Sequence, residues 1–238
     1  MTDSDFETRL KRLAGLILRS LKLVVFTGAG ISTESGLPDF WGPKGLWTRR
    51  DKGQPVDTST RDWSKSEPNS GHRAITELQN LGKLKFLISQ NIDNLHLKSG
   101  IRPELLAELH GNLTKLRCHK CQFVMDNFGD RMKCPQCGGN MKSSVVDFGD
   151  SLPEKDLALA VCHSQDCDLF IVVGSSLVVT PAADMPRLAL ERGAILVIIN
   201  QGETPLDDYA ELLFAEKIGN VLPPAVDLFK SLMNSPES

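Results

Sequence analysis

No apolar run in this 238-residue sequence approaches the roughly 18 residues that a membrane-spanning helix requires. The N-terminal run "LAGLIL" follows charges of both signs and lacks the longer apolar core and small-residue cleavage site of a secretory signal. Charge of one sign is also missing: 27 basic residues face 30 acidic ones, a net charge of −3. That balance excludes a surface built as a whole for nucleic acid or anionic membrane. A complete G-x-G-x-x-G is absent, and no acidic residue closes a second strand in the way an ordinary dehydrogenase fingerprint requires. Internal repeats and low-complexity segments are absent too.

What the sequence does contain is an alternation of two periodicities. Phe6, Leu10, Leu13 and Ile17 recur at helical spacing, which predicts one apolar face on an N-terminal helix. The runs "LVVF" at 23–26, "FLIS" at 86–89, "LFIVV" at 169–173 and "ILVII" at 195–199 are too short for helices and continuous enough for strands buried on both faces, as in a parallel sheet. Between them, "NSGHRAITELQNLG", "LPEKDLALAVC" and "ADMPRLALERG" read as helices, the last two with proline near a start or glycine past an end. The expected fold class is α/β, a doubly wound parallel sheet with a core large enough to need no disulfides. Residues 48–70 and 112–143 break the alternation and are expected to leave the sheet and return, forming a smaller lobe over the strand ends. The tail "NSPES" reads as frayed.

With no membrane or export signal, the expected compartment is the cytoplasm, where six cysteines are reduced thiols or metal ligands. Cys118 and Cys121 form one C-x-x-C, and Cys134 and Cys137 another, with "CPQCGG" supplying a tight knuckle. Four thiolates suit a tetrahedral zinc with no position left for water or substrate, hence a structural ion. A redox dithiol and an iron–sulfur cluster are the alternatives. His119 is read as solvated, and Cys162 and Cys167 as small buried thiols. Residues 112–142 hold six Lys or Arg against two Asp, a local +4 that leaves −7 for the rest of the chain. A basic zinc ribbon can be a nucleic-acid module, although without an aromatic platform or recognition helix a solvated scaffold face is preferred.

The loop "FTGAGISTESGLPDFWGP" follows the first strand run. Gly28, Ala29 and Gly30 fit a turn whose backbone N–H groups approach a phosphate closely. From here the residues resemble the sirtuins, NAD-dependent protein lysine deacylases. The matching segments are "GAGISTESGLPDF", "SQNIDNLH", "ELHGN", the paired cysteines, "DFGDSLP", "VGSSLVVTPAA" and "IINQGETPLD", in the family's order. The resemblance implies a Rossmann-like domain of residues 1–47, 81–111 and 144–238. It also implies a small lobe made of a helical insertion at 48–80 and a zinc-ribbon module at 112–143.

Carried over by matching position, Gly28, Ala29, Gly30, Thr33, Phe40, Trp41 and Trp47 resemble the cofactor loop. Gln90, Asn91 and Asp93 look like the residues around the nicotinamide and its ribose. Gly174, Ser175 and Ser176 are similar to a phosphate- and ribose-binding triplet, Asn200 to an adenosine ribose contact, and Ile218 to an apolar border of the adenine. Val146, Phe148 and Gly149 on one side, and Leu177 and Val178 on the other, resemble edges between which an acyl-lysine peptide adds as a strand. His110 resembles the general base and has the pKa range for it, with Asn91 and Asp93 in catalytic support. His72 and His96 read as satisfied structural histidines. The implied reaction starts when the acyl oxygen attacks the anomeric carbon of NAD and nicotinamide leaves. His110 then takes a ribose hydroxyl proton, and free lysine and O-acyl-ADP-ribose result.

Departures from the family pattern sharpen these expectations. Trp41 stands where the family usually has arginine and cannot pair with phosphate or carboxylate, which implies weaker NAD binding or slower turnover. Asn94 replaces a glycine, a mild change because asparagine tolerates left-handed backbone. Asp150 for glutamate and Ser175 for threonine keep the chemistry. Residues 48–70 lack the tyrosine and arginine that select acidic acyl groups in some members, so acetyl or a longer neutral acyl group is expected. The alternatives are ADP-ribosyl transfer or NAD hydrolysis on the same fold, or a weakened module that binds acyl-lysine or nucleic acid.

Overall fold

The structure is a computed structural model that describes residues 3–39, 52–53, 63–127, 129, 133–147 and 149–234. In chain order the described strands are β1 (Leu23–Thr27), β2 (Leu84–Ser89), β3 (Leu106–Glu108), β4 (Lys115–Cys118), β5 (Val124–Asp126), β6 (Met141–Ser143), β7 (Leu169–Val173), β8 (Ile195–Ile199) and β9 (Leu212–Phe214). The α-helices are α1 (Asp3–Arg19), α2 (Ser70–Asn80), α3 (Leu95–Lys98), α4 (Glu154–Asp166), α5 (Met185–Glu191) and α6 (Ile218–Asn234).

Six strands form one sheet in the order β3-β2-β1-β7-β8-β9, every pairing parallel. The continuous apolar runs of β1 and β7 are buried along their whole length, as strands covered on both faces must be. Successive side chains alternate between the faces. Leu23 and Val25 join the core under α1, α2 and α6, while Val24 and Phe26 join the core that includes residues of α4 and α5. Helix α2 starts at Asn69, whose side-chain oxygen accepts from Gly71 N–H (2.9 Å) and His72 N–H (3.3 Å), an N-cap that satisfies otherwise orphaned donors.

The strand order reverses between β1 and β7, and at such a switch point the loops leaving the strand ends part to open a crevice. Here those loops first touch. Gly28 N–H donates to Val173 O (3.1 Å) and Gly30 N–H to Gly174 O (2.8 Å). A Cβ on Gly28 would lie 2.7 Å from Gly174 O, and one on Gly30 would lie 2.7 Å from Gly174 Cα. Gly174 itself has φ +65°, with its notional Cβ 2.3 Å from Ile31 N. These glycines are required by one another's backbone, a closer constraint than the phosphate approach expected from sequence.

The smaller sheet is antiparallel, ordered β5-β4-β6, and buries Cys118, Cys134 and Met141 with Leu116, Phe123 and Met125 packed around them. The two chain segments that lead to it are hydrogen-bonded side by side, Val146 N–H to His110 O and Ser144 N–H to Lys115 O, both 3.0 Å. Residues 70–80, assigned by sequence to the insertion at 48–80, form α2, whose Ala74, Ile75 and Leu78 are buried in the large core. Its apolar stripe finds partners on α6 and β2.

Substituting Gly174→Ala adds a methyl where there is no space and where the backbone is left-handed. The expected cost is about 2 kcal/mol or more, read as a fall in the urea midpoint at unchanged slope.

Candidate active site

A cavity of about 790 Å³ opens at the switch point. Of the residues expected from sequence it brings together Gly28, Ala29, Gly30 and Thr33 after β1, Gln90, Asn91 and Asp93 after β2, and His110 after β3. Gly174, Ser175 and Ser176 after β7, Asn200 after β8 and Ile218 at the start of α6 complete its large-domain wall. Val146, Gly149 and Val178 line the mouth. Leu177 does not: it is buried in the core beneath, and the exposed neighbour Val178 occupies the edge. Phe40, Trp41, Trp47 and Phe148 lie outside the described residues.

The polar floor is built around Ser32, a residue inside the quoted loop that sequence comparison did not single out. Its hydroxyl donates to Asp93 Oδ2 (2.6 Å) and accepts from Asn91 Nδ2 (3.2 Å). Asp93 Oδ1 accepts from Leu95 N–H (2.9 Å). Burial raises the Asp93 pKa, opposed by these hydrogen bonds. Asn91 keeps one buried carbonyl oxygen, Oδ1, without a partner. A buried unpaired acceptor is costly, and this one belongs to a cavity-lining side chain, where a ligand amide or hydroxyl can satisfy it. Gln90 Nε2 donates to Ser175 Oγ (2.8 Å), which also accepts from Leu177 N–H (3.2 Å). Asn200 Nδ2 donates to Gly202 O (2.7 Å).

His110 stands on a turn fixed by Gly111, whose φ is +76° and whose notional Cβ would lie 1.9 Å from Ser144 O. Burial lowers the His110 pKa, partly offset by a hydrogen bond with the Gln90 backbone. The imidazole is therefore neutral near pH 7 and able to accept a proton. Below the floor, Asn91 N–H donates to Ser89 Oγ (3.0 Å), which accepts from Thr27 Oγ1 (3.0 Å), and that hydroxyl meets His96 Nε2 at 2.8 Å. His96 packs on His72 with ring centroids 5.0 Å apart. Both are structural, as expected, but not satisfied: His96 Nδ1 and His72 Nε2 are buried without partners.

In the small lobe, the four sulfurs of Cys118, Cys121, Cys134 and Cys137 lie within 4.8 Å of one another. Cys118 and Cys137 sulfurs lie 3.5 Å apart, and those of Cys121 and Cys134 3.6 Å. Tetrahedral ligands at a zinc–sulfur distance of about 2.3 Å stand nearly that far apart. Backbone N–H groups of Lys120 and Gln136 donate to Cys118 and Cys134 sulfur (both 3.4 Å), a charge-favouring second layer. His119 is exposed, as expected. Cys162, expected to be buried, is exposed because it falls on the outer side of α4, and only Cys167 is buried.

A parallel sheet of this strand order, with a cavity at its switch point floored by a buried amide and carboxyl and flanked by a neutral histidine, defines a nucleotide-binding α/β protein equipped for proton transfer. The Sir2 family model matches residues 57–181, and the chain belongs to that family. It is 41% identical to an NAD-dependent protein deacetylase of Rhodopseudomonas palustris, covering 95% of this chain and 99% of that protein. It is 40% identical to the NAD-dependent protein deacetylase SRT1 of Oryza sativa subsp. indica, covering 90% of this chain but 47% of that longer protein. A solved Sir2 homolog–NAD complex superposes with a TM-score of 0.76 at 34% identity, covering 94% of this chain and 95% of that one.

The buried histidines carry a stability consequence. Burial lowers the His72 pKa from 6.5 to about 4, and that of His96 well below its ordinary value. The unfolded chain therefore takes up protons first as pH falls, and stability rises with pH wherever the unfolded state holds more protons. Stability is expected to be full above about 6.5 and to fall as pH drops from there toward about 4, read as a declining urea midpoint across that window.

Proposed function

We infer that this protein is an NAD-dependent protein lysine deacylase that transfers the acyl group to ADP-ribose. The observation that carries this reading is the juxtaposition, in one interlobe cavity, of neutral His110 with the Asn91–Ser32–Asp93 cluster. The unpaired Asn91 oxygen fits a carboxamide or ribose hydroxyl donor, and the glycine crossing clears the backbone for a dinucleotide. Bound NAD supplies an electrophilic anomeric carbon. Asn91 and Asp93 orient its nicotinamide end, and Ser175 and Asn200 hold the remainder. His110 accepts the proton of a ribose hydroxyl, and the two lobes exclude the water that would otherwise hydrolyse the glycosidic bond.

The acyl-lysine peptide lies between the segment of Val146 and that of Val178. A peptide adding there as a strand would meet an apolar contact at Val178, half-exposed at 50%. The cavity wall near the mouth is apolar at Val145, Leu152 and Val179, which supports a neutral acyl group. Zinc in the four-thiol site staples a lobe whose own core is too small to hold it. Reduced thiols at such a site support a cytoplasmic setting. Nucleic-acid binding is less well supported, because Lys115 is paired with Glu108 (2.7 Å) and Arg117 lies 3.9 Å from Asp156.

Incubation with NAD and an acetyl-lysine peptide, followed by mass spectrometry, is expected to give equal amounts of nicotinamide, deacetylated peptide and O-acetyl-ADP-ribose. His110→Ala should lose about a hundredfold or more in rate, and the acid limb of kcat/KM should lie below pH 6.5 because burial lowers the His110 pKa. Nicotinamide without deacetylated peptide would instead establish hydrolysis or ADP-ribosylation. Elemental analysis should find one zinc per chain, and Cys137→Ser should lower it while increasing amide exchange in β4, β5 and β6 more than in the large sheet.

A further inference from the structure

Asn94 has a left-handed backbone, φ 66° and ψ 6°, immediately after Asp93 and at the start of α3. Glycine satisfies such a conformation more easily, so the side chain needs a separate reason. It has one: Asn94 Oδ1 accepts a hydrogen bond from Asn112 Nδ2 at 2.9 Å. Asn112 is fully buried and occupies the joint between the lobes. Its backbone N–H donates to Ser144 Oγ (3.0 Å), and the same hydroxyl donates to its carbonyl (2.8 Å). Its amide nitrogen also donates to Glu108 Oε1 (2.6 Å), whose other oxygen pairs with Lys115 of β4. Both segments that lead into the small lobe therefore meet at Asn112.

The loop at 90–94 carries Asn91 and Asp93, and a second bond ties it to the joint, Leu113 N–H to Ile92 O at 2.9 Å. That backbone bond is independent of side-chain identity. The Asn94 contact is the part of the connection that a glycine would remove. We propose that Asn94 is a positioning residue that couples the cofactor loop to the interlobe joint, so that seating a peptide between the lobes tightens the hold on NAD. The inference rests on the deacylase reading above. A lobe movement transmitted to Asn112 reaches the loop of Asp93 through this side-chain bond in addition to the Leu113–Ile92 backbone bond, and reciprocity requires NAD to tighten peptide binding by the same factor.

The test is calorimetric binding of a non-hydrolysable NAD analogue to the full chain, without and with saturating acetyl-lysine peptide. Their affinity ratio measures the coupling. Wild type is expected to bind the analogue more tightly with peptide present. Asn94→Gly should cut that ratio by about threefold to tenfold, the worth of one net hydrogen bond, while the melting temperature stays within a few degrees because glycine suits the backbone. Asn94→Asp, which keeps an acceptor and tolerates the same backbone, should retain most of the ratio. A full ratio in Asn94→Gly, or loss in both variants, would overturn the coupling while leaving the deacylase reading intact. Failure of wild type to bind the analogue at all would overturn that reading and the coupling with it.

Discussion

The site depends on two backbones that touch without side chains between them. Gly28 and Gly30 after β1 lie against Gly174 after β7, close enough that a Cβ on any of the three would meet main-chain atoms at 2.3 to 2.7 Å. Two hydrogen bonds lock the crossing. Because the strands on either side are buried and parallel, the loops cannot drift apart without breaking the sheet register. The 3-10 turn over Ala29–Ser35 is thereby delivered at a fixed height above the strand ends, and it places Ser32 under Asn91 and Asp93. Ser175, one residue beyond the crossing, reaches Gln90 for the same reason.

Around that fixed point the protein buries polar groups to an unusual degree. Asp93, Asn91, Ser32, Thr27, Ser89, His72 and His96 are all buried and mostly joined in short hydrogen-bonded chains. Burial disfavours the charged form of each titratable member, raising the carboxyl pKa of Asp93 and lowering the imidazole pKa of His110 and His96. Desolvation sets the protonation states in a way that position in sequence does not. For His110, which lines the cavity, burial favours the neutral imidazole. The pair His72 and His96 lies beneath the floor and carries its unpaired nitrogens as a stability cost.

The small lobe is held in a different way. Its core contains few apolar residues beyond the thiols, which gather in a four-sulfur cluster with the spacing that could hold a metal ion. Its link to the large domain is polar: Asn112 and Ser144 at the joint, with Glu108–Lys115 and Asp156–Arg117 across it. The Asn112 and Ser144 contacts are buried, so they hold the joint by hydrogen bonds that water does not reach. Two of the lobe's basic residues are used at this seam, which is why its positive sequence charge does not translate directly into a free basic face.

Several things could be read before any coordinates. Nearly continuous apolar runs rich in β-branched residues mark β1, β2, β7 and β8, because strands buried on both faces are dominated by apolar side chains. The doubled C-x-x-C marks the four-sulfur cluster, because ligand spacing is local. The short strands β3, β5, β6 and β9 were not legible, having three residues each and no periodicity to display. Neither was the place of α2, since an amphipathic helix reveals that it has a face to bury but not the surface that will bury it. Sequence by itself determined the α/β class, the thiol cluster and the family motifs, all of which are local patterns. Tertiary structure alone decided that the glycines serve each other, that Leu177 turns inward while Val178 faces the cavity, that Ser32 links Asn91 to Asp93, and that Asn94 reaches Asn112. Those outcomes depend on which distant segments meet and how much water is left between them, and nothing in a single stretch of chain encodes that.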